Sequence, residues 1–411
     1  MSGGNGVLII VENLPVPFDR RVWSEARTLR DAGYDVSVIC PKGKNATAKF
    51  EILDGIHIFR HPLPFEARGA LGYLLEYGSA LFWELYLAFK VYRRRGFAVI
   101  QACNPPDLIF LVAAIFKLAF GTRFIFDHHD ICPELYEAKF GRKGFLWKLS
   151  RFLERRSFRL ADVSIATNQS YRAIAIERGG MAPENVFVVR SGPDLGRVRN
   201  LPPDPAWKCG RAYLVAYVGV IGYQEGLDLL LEAAAHIRDE LSRNDIQYVV
   251  VGDGPEAAKV RLMARIMQLE EIVTFTGRVD DATLFSVLST ADVCVNPDRP
   301  NAMNDKSTMN KIMEYMALGK PIVQFDLTEG RFSAQDASLY ASSAVDFGDK
   351  ILNLLDDPQA RAAMGQFGRA RVTEELAWPH EVSKLLAAYE AALGTRPPAS
   401  VRLANTASNS Q

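Results

Sequence analysis

The stretch NPDRPNAMNDKSTMNKIMEYMALGKPIV, Asn296 to Val323, reads as the end of a strand, a polar loop, a helix and a new strand. The apolar run Asp292 to Val295 stops at Pro297, and a loop rich in Asn, Asp and Pro follows. Ser307 or Thr308 is placed to cap a helix whose Ile312, Met313, Met316 and Ala317 recur at helical spacing and face a core. Gly319 ends that helix and Pro321 opens the next strand. Strand, loop, helix, strand is the unit of a parallel α/β sheet, in which the loops at the carboxyl ends of the strands carry ligands.

Lys306, Asn310 and Glu314 are four residues apart, so on a continuous helix they stack on one face. The helix N-terminus beside Lys306, Ser307 and Thr308 brings free N–H groups and a positive dipole end, which suit a phosphate. Eight residues of helix rise roughly 12 Å, about the span of an extended ligand with an anionic middle and hydroxyls at each end, as a nucleotide sugar is. A buried α/β helix behind a solvated loop reads the same residues without a ligand.

Outward from this stretch, 411 residues exceed one ordinary core and predict two domains. A chain 48% hydrophobic and 23% charged, with formal net charge zero, has globular composition and not that of a general nucleic-acid binder. The five cysteines are scattered, without paired spacing for zinc or an iron–sulfur cluster. No basic region precedes the short apolar run Val7 to Val11, and Leu108 to Phe116 is stopped by Lys117, so neither a signal peptide nor a membrane span is expected. The expected location is the cytosol.

Val7–Val11, a helix from about Arg20 to Ala32 and Val36–Cys40 form a β-α-β opening. Asp19, Arg20 and Arg21 at that helix start meet either an anion or solvent. The alternation continues to Val186–Val189, and the Gly- and Pro-containing segment Arg190 to Gly210 reads as a linker. A second series starts at Tyr213–Val218 and ends in a loop, Thr328 to Ser343, and three helical patterns. The expected fold is α/β, two doubly wound Rossmann-like domains facing a cleft: residues 1–194, completed by a C-terminal helix over 379–393, and residues 195–378. Residues 394–411 read as a disordered polar tail.

Chemistry-bearing residues recur at the expected strand ends. Asp127-His128-His129-Asp130-Ile131-Cys132-Pro133-Glu134 follows a strand, and adjacent strand residues point opposite ways, so the two histidines do not share one metal. Gly219 and Gly222, then Gly252 and Gly254, form turns that admit close approach of backbone N–H groups to an anion. Arg278, in Thr276-Gly277-Arg278-Val279, stacks on a base or sits as a surface charge. Lys139 to Arg159 carries eight basic residues and one acid, interleaved with Phe145, Leu146, Trp147, Leu149, Phe152, Leu153 and Phe158. That composition suits either anionic lipid headgroups or the outer face of a core helix.

The string Glu-Tyr-Met-Ala-Leu-Gly-Lys-Pro-Ile-Val at 314–323 resembles the C-terminal-domain motif of retaining, family-four GT-B glycosyltransferases, in the branch with bacterial O-antigen and exopolysaccharide transferases. The resemblance extends from Val7 to about Ala392. It implies a nucleotide-diphosphate sugar as donor, bound by the C-terminal domain, and transfer with retention, without metal or cofactor, to a saccharide acceptor held by the N-terminal domain. The basic patch adds a polyprenyl-linked acceptor and a peripheral position on the inner face of the plasma membrane. By the same resemblance His129 and Asp130 lie near the donor sugar, Glu134 orients the acceptor and Glu314 meets the ribose. Gly219, Gly222, Gly252, Gly254, Arg278, Ser307, Thr308 and Lys311 surround the nucleotide. The family pairs Glu314 with a second glutamate that has seven residues between it and Glu314; that place holds Lys306, read as a catalytic cation. Val220 and Glu225 stand where many members carry Arg and Lys. A nucleotide-sugar epimerase and a non-catalytic partner subunit remain as alternatives.

Overall fold

A strand of six apolar residues needs cover on both faces, and β1 (Gly6–Val11) is buried throughout. The computed structural model describes residues 5–43, 46–62 and 69–394, with side chains from 77 onward in the last segment. It divides into two units, 1–190 with 381–411, and 191–380.

In the first unit β1 lies inside a sheet with β2 (Asp35–Pro41), β3 (Phe50–Leu53), β4 (Ile56–His61), β5 (Val99–Cys103), β6 (Arg123–His128), β7 (Val163–Ala166) and β8 (Val186–Val188). The order is β3-β4-β2-β1-β5-β6-β7-β8, parallel except where β3 pairs antiparallel with β4. β3 is absent from the sequence reading because its side chains stay largely exposed, an edge pattern without a buried run. Residues of the helix Pro379–Leu393 complete this unit: the Glu381 carboxylate accepts from the Arg190 N–H at 2.9 Å, and the Tyr389 hydroxyl donates to Gln101 on β5.

The second unit is an all-parallel sheet of β9 (Tyr213–Val218), β10 (Ile246–Val251), β11 (Val273–Gly277), β12 (Val293–Asn296), β13 (Ile322–Phe325) and β14 (Ser338–Ala341), in the order β11-β10-β9-β12-β13-β14. Alternation along β9 fills two cores: Val215 and Tyr217 pack with Leu230, Phe347 and Ile351, while Leu214 and Ala216 pack with Phe285, Ile312 and Met316.

Three expectations are corrected here. The helix after β12 begins at Asn310, its N-cap is Met309 with no side-chain cap, and the Ser307 hydroxyl turns back to donate to the Met303 carbonyl. Lys306 therefore ends a separate 3-10 turn, Asn304–Lys306, and shares no helix face with Asn310 and Glu314. The segment expected as a loop from Thr328 to Ser343 holds the helix Thr328–Ala334 and strand β14. The expected linker belongs to the second unit, with Leu195, Val198, Leu201 and Trp207 packed against its core. From 395 the tail read as disordered lies outside the described residues.

Gly226 precedes the helix Leu227–Asp239 at φ +60°, and a Cβ there would sit 2.1 Å from the Pro297 carbonyl oxygen. Both the left-handed backbone and the contact exclude a side chain. Gly226→Ala is expected to cost about 2 kcal/mol or more, read as a lowered denaturant midpoint.

Candidate functional site

In the second unit the polar side chains gather where β9, β10, β12 and β13 end. The Tyr315 hydroxyl, projecting from the helix Asn310–Ala317, accepts from Val218 N–H at 2.9 Å and donates to the Val295 carbonyl at 3.3 Å. One phenol thus fixes the ends of β9 and β12 against the helix that follows. Beside it Lys311 reaches Asp298 at 2.7 Å and lies over the Tyr217 ring at 4.8 Å. Asp298 is buried, so this is a desolvated ion pair.

The four glycines expected to offer N–H groups to an anion already spend them internally. Gly219 N–H donates to Val251, Gly252 N–H to Gly277, Gly254 N–H to the Asp253 carboxylate and Gly222 N–H to the Glu225 carboxylate. The physical reason for glycine is packing of loop on loop: Gly252 has φ +138° and its Cβ would fall 1.8 Å from the Gly219 oxygen. Glu225, in the place where a cation was expected, closes the turn. Burial pushes its carboxyl up, with Lys311 opposing.

Glu314 accepts from Arg197 at 3.0 Å, and Arg197 also holds Asp281 at 2.8 Å. Arg197 was not singled out in the sequence; nothing in a Pro-rich connection marks an arginine as a clamp for a carboxylate. Lys306 and Thr308 are half-buried, Ser307 is buried, and Arg278 is exposed just past the end of β11. Lys306, Ser307 and Thr308 therefore lie on the segment leading into a helix start that no side chain caps, although not on the helix itself.

In the first unit the end of β6 places His128 and His129 on opposite sides. His128 is buried among the rings of Phe126, Phe158 and Tyr171, 3.5 Å from Glu154. His129 faces the other way, its Nε2 at 2.6 Å from Asp127 Oδ2 and 3.0 Å from Arg21 Nε. Asn104, missed in the sequence, accepts the N–H groups of His129 at 2.7 Å and Asp130 at 3.1 Å and shapes the turn. Asp130 is half-buried, and desolvation raises its carboxyl. Glu134 is held by Arg178 at 2.5 and 3.1 Å, and Arg178 also pairs with Glu154 at 2.6 Å.

Arg21 is neither at an anion site nor in solvent, as the helix start suggested. Asp19 caps the helix through Val22 N–H, and Arg21 turns inward, its side chain 8% exposed. It reaches Asp127 at 2.9 Å, Glu25 at 3.1 Å and the Val189 carbonyl at 2.8 Å. Glu25, Cys103, Asp127 and His129 have donor atoms within 4.8 Å of one another, a spacing that would suit a metal ion. The Arg21 guanidinium and the Gln101 amide already engage both carboxylates, so the positive charge there is an arginine's. Of the two carboxyls Glu25 keeps the proton: burial, then the charge of Asp127, push it up to about 8 against the pull of Arg21. Asp127 is held down despite its burial by Arg21 and His129.

A carboxyl raised in the folded state binds a proton that the unfolded chain has released. Its stabilisation is complete below about pH 4.3, where the unfolded carboxyl titrates, and is lost as pH rises through the folded value near 8. Glu25→Gln is expected to flatten this loss, which has a slope of at most about 1.4 kcal/mol per pH unit. Between about pH 5 and pH 8 the melting temperature of the unaltered protein should fall more than that of the variant; parallel curves would refute the assignment.

Two α/β units, each a largely parallel sheet with polar clusters at its strand ends, are the architecture of the GT-B fold. Residues 19–192 match the family model described as "Glycosyl transferase 4-like domain" and residues 212–357 the one described as "Glycosyl transferases group 1". The chain belongs to this family, the GT-B glycosyltransferases of the GT4 type. It is 28% identical to the alpha-D-kanosaminyltransferase of Streptomyces kanamyceticus over 159 residues, 37% of this chain and 39% of that protein. The match to this relative therefore spans about two fifths of its length. Among solved structures, sucrose-phosphate synthase from Thermosynechococcus elongatus superposes with a TM-score of 0.76 at 19% identity, covering 94% of this chain and 98% of that one. An Anabaena protein solved in complex with UDP and glucose gives 0.71 at 16% identity, covering 94% and 99%.

Proposed function

We propose that this protein transfers a hexosyl group with retention from a nucleotide-diphosphate sugar to a saccharide acceptor in cell-surface polysaccharide biosynthesis, of the O-antigen or exopolysaccharide kind. The observation that carries this reading is the second unit's match to group 1 glycosyl transferases over 212–357, ending its strands at the uncapped helix start beside Lys306, Ser307 and Thr308. In the reaction the bond from the sugar's anomeric carbon to the diphosphate breaks. The acceptor oxygen bonds that carbon on the same face, and the acceptor's hydroxyl proton passes to the departing phosphate. No metal or cofactor enters this proposal: helix start, Lys306, Ser307 and Thr308 stabilise the leaving charge. Glu314, oriented by Arg197, takes the ribose. His129 and Asp130 are the groups that the first unit offers to a sugar, and Glu134, held by Arg178, orients the acceptor.

Thermal unfolding with UDP, GDP, dTDP and ADP in separate samples tests the donor site. One nucleotide at 100 times its dissociation constant should add about 2.7 kcal/mol, and Glu314→Ala should abolish the gain. The pairing of Lys311 with Asp298, and Glu225 in place of a cation, favour one second reading, a non-catalytic partner subunit. No stabilisation by any nucleotide would bring it forward, whereas solvent proton exchange into the donor sugar without an acceptor would mark an epimerase.

The acceptor in this proposal is polyprenyl-linked, and the protein works at the cytoplasmic face of the plasma membrane. Among the described residues no helix is long and apolar enough to cross a membrane. The helix Phe145–Leu160 exposes Phe145, Leu146, Leu149 and Phe152 beside the exposed Lys148, Arg151, Arg155, Arg156 and Arg159. The helix Phe110–Phe120, tied to it through Lys117 and the Leu160 carbonyl at 2.7 Å, exposes Leu111, Ile115 and Leu118 at helical spacing. Apolar side chains among cations fit an anionic bilayer surface. Each cation near such a surface adds about 1 kcal/mol, so changing Lys148, Arg155 and Arg156 to Glu should weaken sedimentation with anionic liposomes by about a hundredfold or more. Unimpaired sedimentation would count against the membrane.

A further inference from the structure

His129 has two ring nitrogens, and the buried shell behind it decides which one is presented. Nε2 faces Asp127 Oδ2 at 2.6 Å and Arg21 Nε at 3.0 Å. These two contacts make opposite demands: the carboxylate requires a proton on Nε2, and the guanidinium requires a lone pair there. An anionic oxygen at 2.6 Å from a lone pair is the worse arrangement, and Arg21 keeps its other N–H groups on Asp127 Oδ1 and the Val189 carbonyl. Among the described residues Nδ1 makes no hydrogen bond, and the ring keeps 15% of its surface exposed.

Asp127 is itself held. Gln101 donates its amide to Asp127 Oδ2 at 2.9 Å and to Glu25 Oε2 at 2.7 Å, and its carbonyl accepts from the Tyr389 hydroxyl. Glu25, Gln101, Asp127 and Tyr389 are fully buried. The amide cannot flip without setting its oxygen against two carboxyls. Donation therefore converges on Asp127, from Tyr389 through Gln101 on one side and from the ring on the other.

We infer that Asp127, itself held by Arg21 and Gln101, is the positioning residue that locks His129 with its proton on Nε2, so that Nδ1 is the atom offered to the substrate. The inference rests on the transferase reading only for what Nδ1 meets, a sugar hydroxyl: neutral His129 accepts from that hydroxyl and protonated His129 donates to it. The charged and titratable groups around the ring are Arg21, Glu25, Cys103 and Asp127 behind it and Asp130 beside it in the chain. Burial lowers the basicity of the ring, but the charge and hydrogen bond of Asp127 outweigh burial and Arg21 and leave it raised.

Long-range proton–nitrogen NMR of the histidine-labelled full chain reads the tautomer directly, with the His129 signal assigned by its loss in His129→Gln. The expected spectrum shows a protonated Nε2 and a bare Nδ1 above the ring's titration. Asp127→Asn should lower the His129 pKa by about one pH unit or more and give both tautomers. Arg21→Lys keeps the charge but removes the N–H that competes for Nε2, and should leave the Nε2–H form in place. A proton on Nδ1 in the unaltered protein, or a pure Nε2–H form surviving in Asp127→Asn, would overturn the inference. The spectrum needs no substrate, so a correct tautomer in a protein that neither binds nucleotide nor transfers sugar would sink the transferase reading and leave the lock standing.

Discussion

A parallel sheet covered on both faces has little room for a charged side chain except at the ends of its strands. That constraint orders both units of this protein. β1 and β10 are buried from end to end, and the groups capable of chemistry appear only where such strands stop: Asp127 and His129 at β6, Asn296 and Asp298 at β12, the glycine turn after β9. The same constraint makes each group that does enter the interior expensive, so several of the buried carboxyls come with a cation. Asp298 has Lys311, Glu154 has Arg178, and Asp127 and Glu25 share Arg21.

The two clusters solve the problem of charge differently. In the first unit an arginine is drawn inward among two acids and a histidine, and the carboxyls divide the proton unequally between them. In the second unit the cations that sequence alone offers to a diphosphate are partly spoken for, because Lys311 leans on Asp298 and the glycine turn is closed by Glu225. What remains for an anion is the start of the helix Asn310–Ala317, whose N-cap Met309 makes no side-chain cap and whose place against β9 and β12 the Tyr315 hydroxyl fixes. Binding by a rigid helix start costs no side-chain rotamer freedom, unlike binding by lysine.

The alternation of strand and helix was legible because buried parallel strands are unbroken apolar runs, and both sheets follow from it. The opposed directions of His128 and His129 were legible for a similarly simple reason, the two-residue period of a strand. Helix starts were not. Ser307 looks like a cap, yet its hydroxyl finds the Met303 carbonyl first, and a local side-chain bond of that kind leaves no trace in composition. For Arg21 the sequence offered an anion or solvent, because a basic residue at a helix start usually meets one or the other. A signal was present, however: Glu25 lies four residues on, within the buried stripe of Val22, Ala26 and Leu29, and an acid in such a stripe calls for a buried cation. The roles of the glycines were legible only in kind. Sequence shows that backbone must come close to something there, and the structure shows that the something is the neighbouring loop.

The return of Glu381 and Tyr389 to the first unit has a consequence for how the chain is made. The ribosome delivers residues 1–190 long before it delivers 381–389. Until then the Arg190 N–H lacks its carboxylate and Gln101 lacks its phenol, both in places closed to water in the finished protein. The first unit to emerge is thus the last to be completed, and the second unit closes around its own core in the interval. Synthesis order and order of completion run opposite ways, so an unfinished chain leaves Gln101, which holds Asp127 beside His129, without its phenol.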